Sequence, residues 1–96
     1  MKLDTSKKLS EVLQEVLRSD GTAKKMLEHR AEALWLNVMG PTVNRHTTSV
    51  RVRDGIMYVS ISSSVVRQEV FYLRGKIIAT INKAVGEDIV KEIRLS

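Results

Sequence analysis

At 96 residues and 43% hydrophobic, the chain suits one domain with a modest core and is too apolar for a disordered polymer. It has no cysteine, which excludes disulfides, thiol catalysis and cysteine-held metals and fits a reducing compartment. The net charge of +5, from 16 Lys and Arg against 11 Asp and Glu, suits either a mixed soluble surface or a patch that binds polyanions.

No apolar run approaches the roughly 18 residues that span a membrane. The start, Met1-Lys2-Leu3-Asp4-Thr5, turns polar at once and lacks the core of a signal peptide, so a cytoplasmic location is expected. A first helix is predicted over residues 6–17, where Leu9, Val12, Leu13, Val16 and Leu17 share a face, Thr5 or Ser6 caps the start and Ser19-Asp20-Gly21 breaks the end. A second helix is predicted over 23–39, capped by Thr22. Its apolar stripe is Met26, Leu27, Ala31, Leu34, Trp35 and Val38, with Lys24, Lys25, His29 and Glu32 on the opposite side. Gly40 is placed to end it, ahead of Pro41.

Residues 48–53 and 57–61 alternate polar and apolar around Asp54-Gly55, a pair that favours a two-residue hairpin turn with φ > 0 at both positions. That turn sets Arg53 opposite Ile56, Val52 opposite Met57, Arg51 opposite Tyr58 and Val50 opposite Val59. Val50, Val52, Met57, Val59 and Ile61 then share the buried face, and Arg51, Arg53, Ile56 and Tyr58 the other. A long third helix is predicted over 64–85, capped by Ser63 or Ser64 and stopped by Gly86, with Val66, Val70, Leu73, Ile77, Ile81 and Ala84 at helical spacing. Gly75 inside it costs about 1 kcal/mol relative to Ala unless it permits close packing. A strand over 90–95 closes the chain. The order helix-helix-strand-strand-helix-strand, without repeat or linker, defines a single α+β domain over residues 1–96: two layers, with a three-stranded mixed sheet and helices on one of its faces.

Little in the chain suits catalysis. His29 and His46 have no metal-ligand spacing. His29 is expected on a solvated helix face; His46, ahead of the hairpin, caps the preceding turn in preference to binding phosphate. There is no G-x-S-x-G elbow, P-loop or G-x-G-x-x-G loop, and the carboxylates are scattered singly. No enzyme, metal, cofactor or small-molecule substrate is expected. Ser62-Ser63-Ser64 reads as a strand end and helix cap rather than a phosphate cradle. Trp35 continues the apolar stripe and reads as core, with a partner-binding anchor as the alternative. The open sheet face offers more. Arg51, Arg53, Tyr58 and Arg94 project from it, and arginines beside an aromatic ring hold phosphates and stack a base. A second basic set, Lys24, Lys25, Arg30 and Arg45, surrounds the second helix and the loop after it. The plain alternative for both sets is a solvated surface. The expected nucleic-acid-binding residues are Arg51, Arg53 and Tyr58, extended by Lys24, Lys25 and Arg45.

Trp35-x-x-Val38-x-Gly40, His46-Thr47, Asp54-Gly55-Ile56-Met57-Tyr58-Val59, Ser63-Ser64, Gln68-Glu69-Val70, Leu73, Ile81-Asn82 and Ile89-Val90-x-x-Ile93-Arg94, in this order, resemble the core signature of the DciA family over about residues 6–95. The resemblance implies a KH-like domain with a non-enzymatic role in loading the bacterial replicative helicase onto DNA during replication initiation, so DNA and the hexameric helicase are the implied partners. The sequence departs from RNA-binding KH domains, which clamp the backbone with a Gly-x-x-Gly loop: among Gly21, Gly40, Gly55, Gly75 and Gly86, no two lie three apart. Many DciA-like chains carry long, often basic extra segments, whereas this sequence ends at Ser96, directly after its last predicted strand. Helicase contact that depends on such a tail in relatives is expected to differ or weaken here. Three readings follow, with DNA favoured over RNA: a DNA-binding helicase-loading accessory protein, an RNA-binding KH-like module, and a protein–protein adaptor without nucleic-acid contact. None involves a membrane.

Overall fold

The Asp54-Gly55 turn organises the sheet. In the computed structural model, which describes residues 21–96, Asp54 has φ 52° and Gly55 φ 85°, the left-handed pair that matches the twist of a two-residue hairpin. The helix expected over 6–17 lies outside the described residues. Strands β1 (Thr47–Arg53) and β2 (Ile56–Ile61) pair antiparallel with the expected register, Arg53 opposite Ile56 through Val50 opposite Val59. Alternation then buries Val52, Met57, Val59 and Ile61, with Val50 partly covered, and leaves Arg51, Arg53 and Tyr58 exposed. A third strand, β3 (Glu92–Leu95), runs parallel to β2, which gives the sheet order β1-β2-β3.

Helices α1 (Thr22–Val38), α2 (Pro41–His46), α3 (Ser64–Tyr72) and α4 (Arg74–Val85) supply the second layer. α1 packs on α4 and β1, α3 on β2, and α4 on β3. The core holds Trp35, Met57, Val59, Val70, Ile81 and Val90 almost without solvent contact. Trp35 is 0% exposed, and its Nε1 donates to Thr47 Oγ1 at 3.2 Å, which donates in turn to Val43 O at 2.8 Å. A buried indole needs such a partner, so Trp35 is a core residue and not an anchor for a partner.

Helix boundaries depart from the sequence expectations in several places. The N-cap of α1 is Gly21, and Thr22 is already helical. α1 ends at Val38, with Met39 extended; Gly40 is also extended (φ −77°, ψ 178°) and caps the short helix α2, which begins at Pro41. Proline explains this: it restricts the residue before it to extended backbone and suits the first helical position. The third predicted helix is two helices. Leu73 (φ −97°, ψ 6°) leaves helical geometry, and its N–H is shared between Glu69 O and Val70 O. A straight helix over 64–85 would be about 33 Å long, whereas the seven residues of β1 span about 23 Å. The break lets Val66 and Val70 cover β2 while Ile77, Ile81 and Val85 turn back over the rest of the core. It also leaves Leu73 half exposed and puts Val85, not Ala84, on the inner face. Among the described residues a Cβ on Gly75 would meet nothing within 4 Å, so this glycine does not serve close packing against any of them.

The inner stripe of α1 differs too. Met26 is exposed, while Glu28 is buried and Glu32 half-buried. Both carboxylates turn to the outer edge of β1: Glu32 Oε2 accepts from Val52 N at 2.8 Å and Glu28 Oε2 from Asp54 N at 2.9 Å. Spaced by four on one helix face, they satisfy alternate outward N–H groups of an edge strand.

Candidate nucleic-acid interface

The strand register arranges the uncovered side of the sheet in three rows. Ser49, Ser60 and Ser96 form one, with the Ser60 and Ser96 hydroxyls 3.0 Å apart. Arg51, Tyr58 and Arg94 form the next, and Arg53, Ile56 and Glu92 the third. Adjacent strands lie about 4.8 Å apart, so Tyr58 has an arginine on each side. Arg94 Nε donates to Glu92 Oε2 at 2.9 Å; the Glu92 carboxylate, with a smaller contribution from Tyr58, holds this guanidinium above its usual range. Arg51 and Arg53 form no ion pair among the described residues, and with Tyr58 they line a shallow depression. Tyr58 is 42% exposed. Two guanidinium groups with no ion pair among the described residues, beside a ring with an accessible face, can grip phosphates and stack a base.

The second basic set is not brought together. Lys24 Nζ reaches Asp54 Oδ1 at 2.7 Å, bracing the hairpin turn against α1. The hydrogen bond to Asp54 raises the Lys24 pKa, and the same bond lowers that of the Asp54 carboxyl. Lys24 is therefore committed to the turn, while Lys25 and Arg30 are exposed. Arg45 is exposed on α2, beyond the far end of α1. The 14 helical steps from Lys24 to Val38 alone span about 21 Å along the helix axis, so Lys24 and Lys25 cannot share one small site with Arg45.

The remaining polar candidates have structural partners. His29 Nδ1 lies 3.1 Å from Glu32 Oε1 on the solvated side of α1. His46 and Ser62 are joined by their side chains at 3.3 Å, and Ser62 N donates to His46 O at 2.8 Å, which closes the end of the hairpin. Ser63 caps α3, accepting from Val66 N at 3.3 Å. Asn82 clamps the lead-in to β3, donating to Val90 O at 2.7 Å and accepting from Val90 N at 2.9 Å. Among the described residues no cluster of His, Asp or Glu could hold a metal ion, and no helix is long and apolar enough to cross a membrane.

One feature went unmarked in the sequence: the elbow between α3 and α4. Phe71 is 48% and Tyr72 74% exposed, beside exposed Leu73. The rings meet edge to face, centroids 6.1 Å apart. The Arg74 guanidinium lies 3.8 Å over the Phe71 ring and donates to Phe71 O at 2.7 Å. A signal for this exposure existed. Val66 and Val70 fix the inward direction of the helix, and at about 100° per residue Tyr72 points roughly 200° away from Val70.

These features define a two-layer α+β domain whose sheet carries helices on one side and arginines with a tyrosine on the other. The chain belongs to the DciA family: the family described as Dna[CI] antecedent, DciA, matches residues 8–95. It is also similar to a UPF0232 protein of Rhodococcus jostii (strain RHA1), 28% identical over 81 residues, which covers 84% of this chain and 43% of that protein. The chain thus spans less than half the length of that curated relative.

Proposed function

We propose that this domain is a non-enzymatic, DNA-binding accessory of the bacterial replicative helicase, working in the cytoplasm when the helicase is loaded onto DNA. DciA family membership supports the helicase role. The nucleic-acid contact rests on one observation: among the described residues Arg51 and Arg53 form no ion pair, and they stand beside a half-exposed Tyr58 on a sheet face that the described helices leave open. In this reading Arg51 and Arg53 hold phosphates and Tyr58 stacks a base. Lys25 extends the positive surface at the hairpin end, where Lys24 adds to it only on release from Asp54, and Arg45 is a separate contact at the other end. Phosphate contacts carry no sequence information, so specificity is low.

Fluorescence anisotropy of labelled single-stranded and forked DNA across a salt series tests this. The expected result is affinity that falls steeply with salt. Replacing both Arg51 and Arg53 with Glu should weaken binding and flatten the log–log slope by about 1.4, two contacts at roughly 0.7 each on a single strand. An unchanged affinity would remove the sheet face as the site. Competition by single-stranded RNA that matched or exceeded DNA would move the reading to an RNA-binding module. No binding at low salt, with the helicase still retained in a pull-down, would leave a protein adaptor.

A further inference from the structure

We infer that the α3–α4 elbow is a second contact site for single-stranded nucleic acid, with Tyr72 as the stacking platform; this rests on the nucleic-acid reading above. The chain has four aromatic residues, Trp35, Tyr58, Phe71 and Tyr72, and only Trp35 serves the core. Phe71 and Tyr72 are therefore not held at the surface by a packing role inside. The ring of Phe71 is occupied by the guanidinium of Arg74 and meets Tyr72 edge to face. It props the more exposed tyrosine, whose ring is free to receive a base. Sequence-tolerant stacking of this kind is how proteins hold single strands.

The surroundings suit a polyanion. A groove beside α3 is lined by Ser64, Arg67, Gln68, Phe71, Tyr72 and Leu95, with no carboxylate among them. The guanidinium groups of Arg67 and Arg74 are held by backbone carbonyls, Ile61 O and Phe71 O, and form no ion pair among the described residues. Around the elbow, residues 67–76 hold three basic side chains, Arg67, Arg74 and Lys76, against one acidic, Glu69. Exposed aromatic and aliphatic groups beside arginine also occur at protein–protein hot spots, but this charge balance and the lack of a carboxylate among the described residues of the groove favour a phosphate backbone.

The elbow is also continuous with the arginine row. Leu95 lines the groove, and Arg94, its neighbour on β3, lies on the open face beside Tyr58. Only the edge strand separates the two surfaces, so one flexible strand can cross β3 and touch both. Duplex DNA keeps its bases stacked and cannot use Tyr72, so the elbow selects single strands.

The test is anisotropy of labelled oligothymidine, and of a duplex of the same length, with the 96-residue chain and three variants: Tyr72→Ala, Tyr72→Phe, and Arg51→Glu combined with Arg53→Glu. Loss of one stacked base weakens binding about 5- to 150-fold. Tyr72→Ala should lose this much on oligothymidine with little change on duplex and an unchanged salt slope. Tyr72→Phe should restore the affinity, and thermal melting should show all three variants folded. If Tyr72→Ala binds oligothymidine like the parent while the double arginine variant does not, the elbow inference falls and the sheet-face reading stands. If Tyr72→Ala keeps its DNA affinity but loses co-elution with the replicative helicase, the elbow is a protein surface and the inference is overturned. If the parent chain binds no DNA at low salt, both readings fall together.

Discussion

Met57 and Tyr58 are neighbours on β2, yet one is sealed beneath the helices and the other projects from the uncovered side among Arg51, Arg53 and Arg94. The same contrast repeats along the hairpin, Val52 against Arg51 and Val59 against Ser60. A strand alternates its side chains with period two, so a sheet covered on one side separates packing from contact at single-residue spacing. The inner residues answer to the core. The outer ones owe it little, which is why charge and a ring can gather there.

The largest expected effect tests that separation directly. Met57→Ala should lower the unfolding free energy by about 2–5 kcal/mol, the range for emptying a core site. Tyr58→Ala should stay within about 0.5 kcal/mol. Urea melts of both variants suffice, and comparable losses would mean that the outer side is packed after all. A middle-sized effect should come from the hairpin's support. Glu28→Ala leaves the Asp54 N–H without its acceptor and should cost about 1–3 kcal/mol. Glu28→Gln keeps an acceptor oxygen and should cost less; equal losses would show that the hydrogen bond is not what Glu28 contributes. The smallest effect belongs to the exposed Lys24–Asp54 pair. Asp54 has its carboxyl pKa lowered in the fold by Lys24, so the stability it gives is present above the ordinary carboxyl value and is lost as pH falls through the lower, folded one. The melting-temperature gap between the parent and Asp54→Asn should therefore close as the pH is taken from 6 towards 2. A gap that persisted in acid would point to turn geometry instead of charge. Exposed pairs contribute little, so the gap should be small throughout.

The hairpin was legible from its turn out to the Val50–Val59 pair because its information is local, while the register shift between Thr47 and Ser49 at its far end was not. Asp54-Gly55 dictates the turn, the turn dictates the register, and the register sorts Arg51, Arg53 and Tyr58 from Val52 and Met57. The DciA resemblance was legible for a different reason: its motifs recur in order along nearly the whole chain. What escaped depends on distance in space. Glu28 and Glu32 sit among charged residues on a helix that looks solvated, and their partners are backbone N–H groups 26 and 20 residues away. The break at Leu73 follows from the short reach of the sheet, which helical periodicity does not encode. Arg45 and Lys24 were grouped because they flank the same helix, but the length of that helix keeps them apart.

The two carboxylates on the outer edge of β1 bear on how the molecule behaves in a crowd. An edge strand with free N–H groups is a template on which another chain can form a ladder. Here a visiting strand would first have to displace Glu28 and Glu32 from Asp54 and Val52, giving up two charge-assisted bonds before making its own. Growth of a continuous ladder needs two receptive sides per molecule, and this edge resists being one of them. Sheet-to-sheet joining through the opposite edge would then stop at a closed pair instead of running on into a fibre.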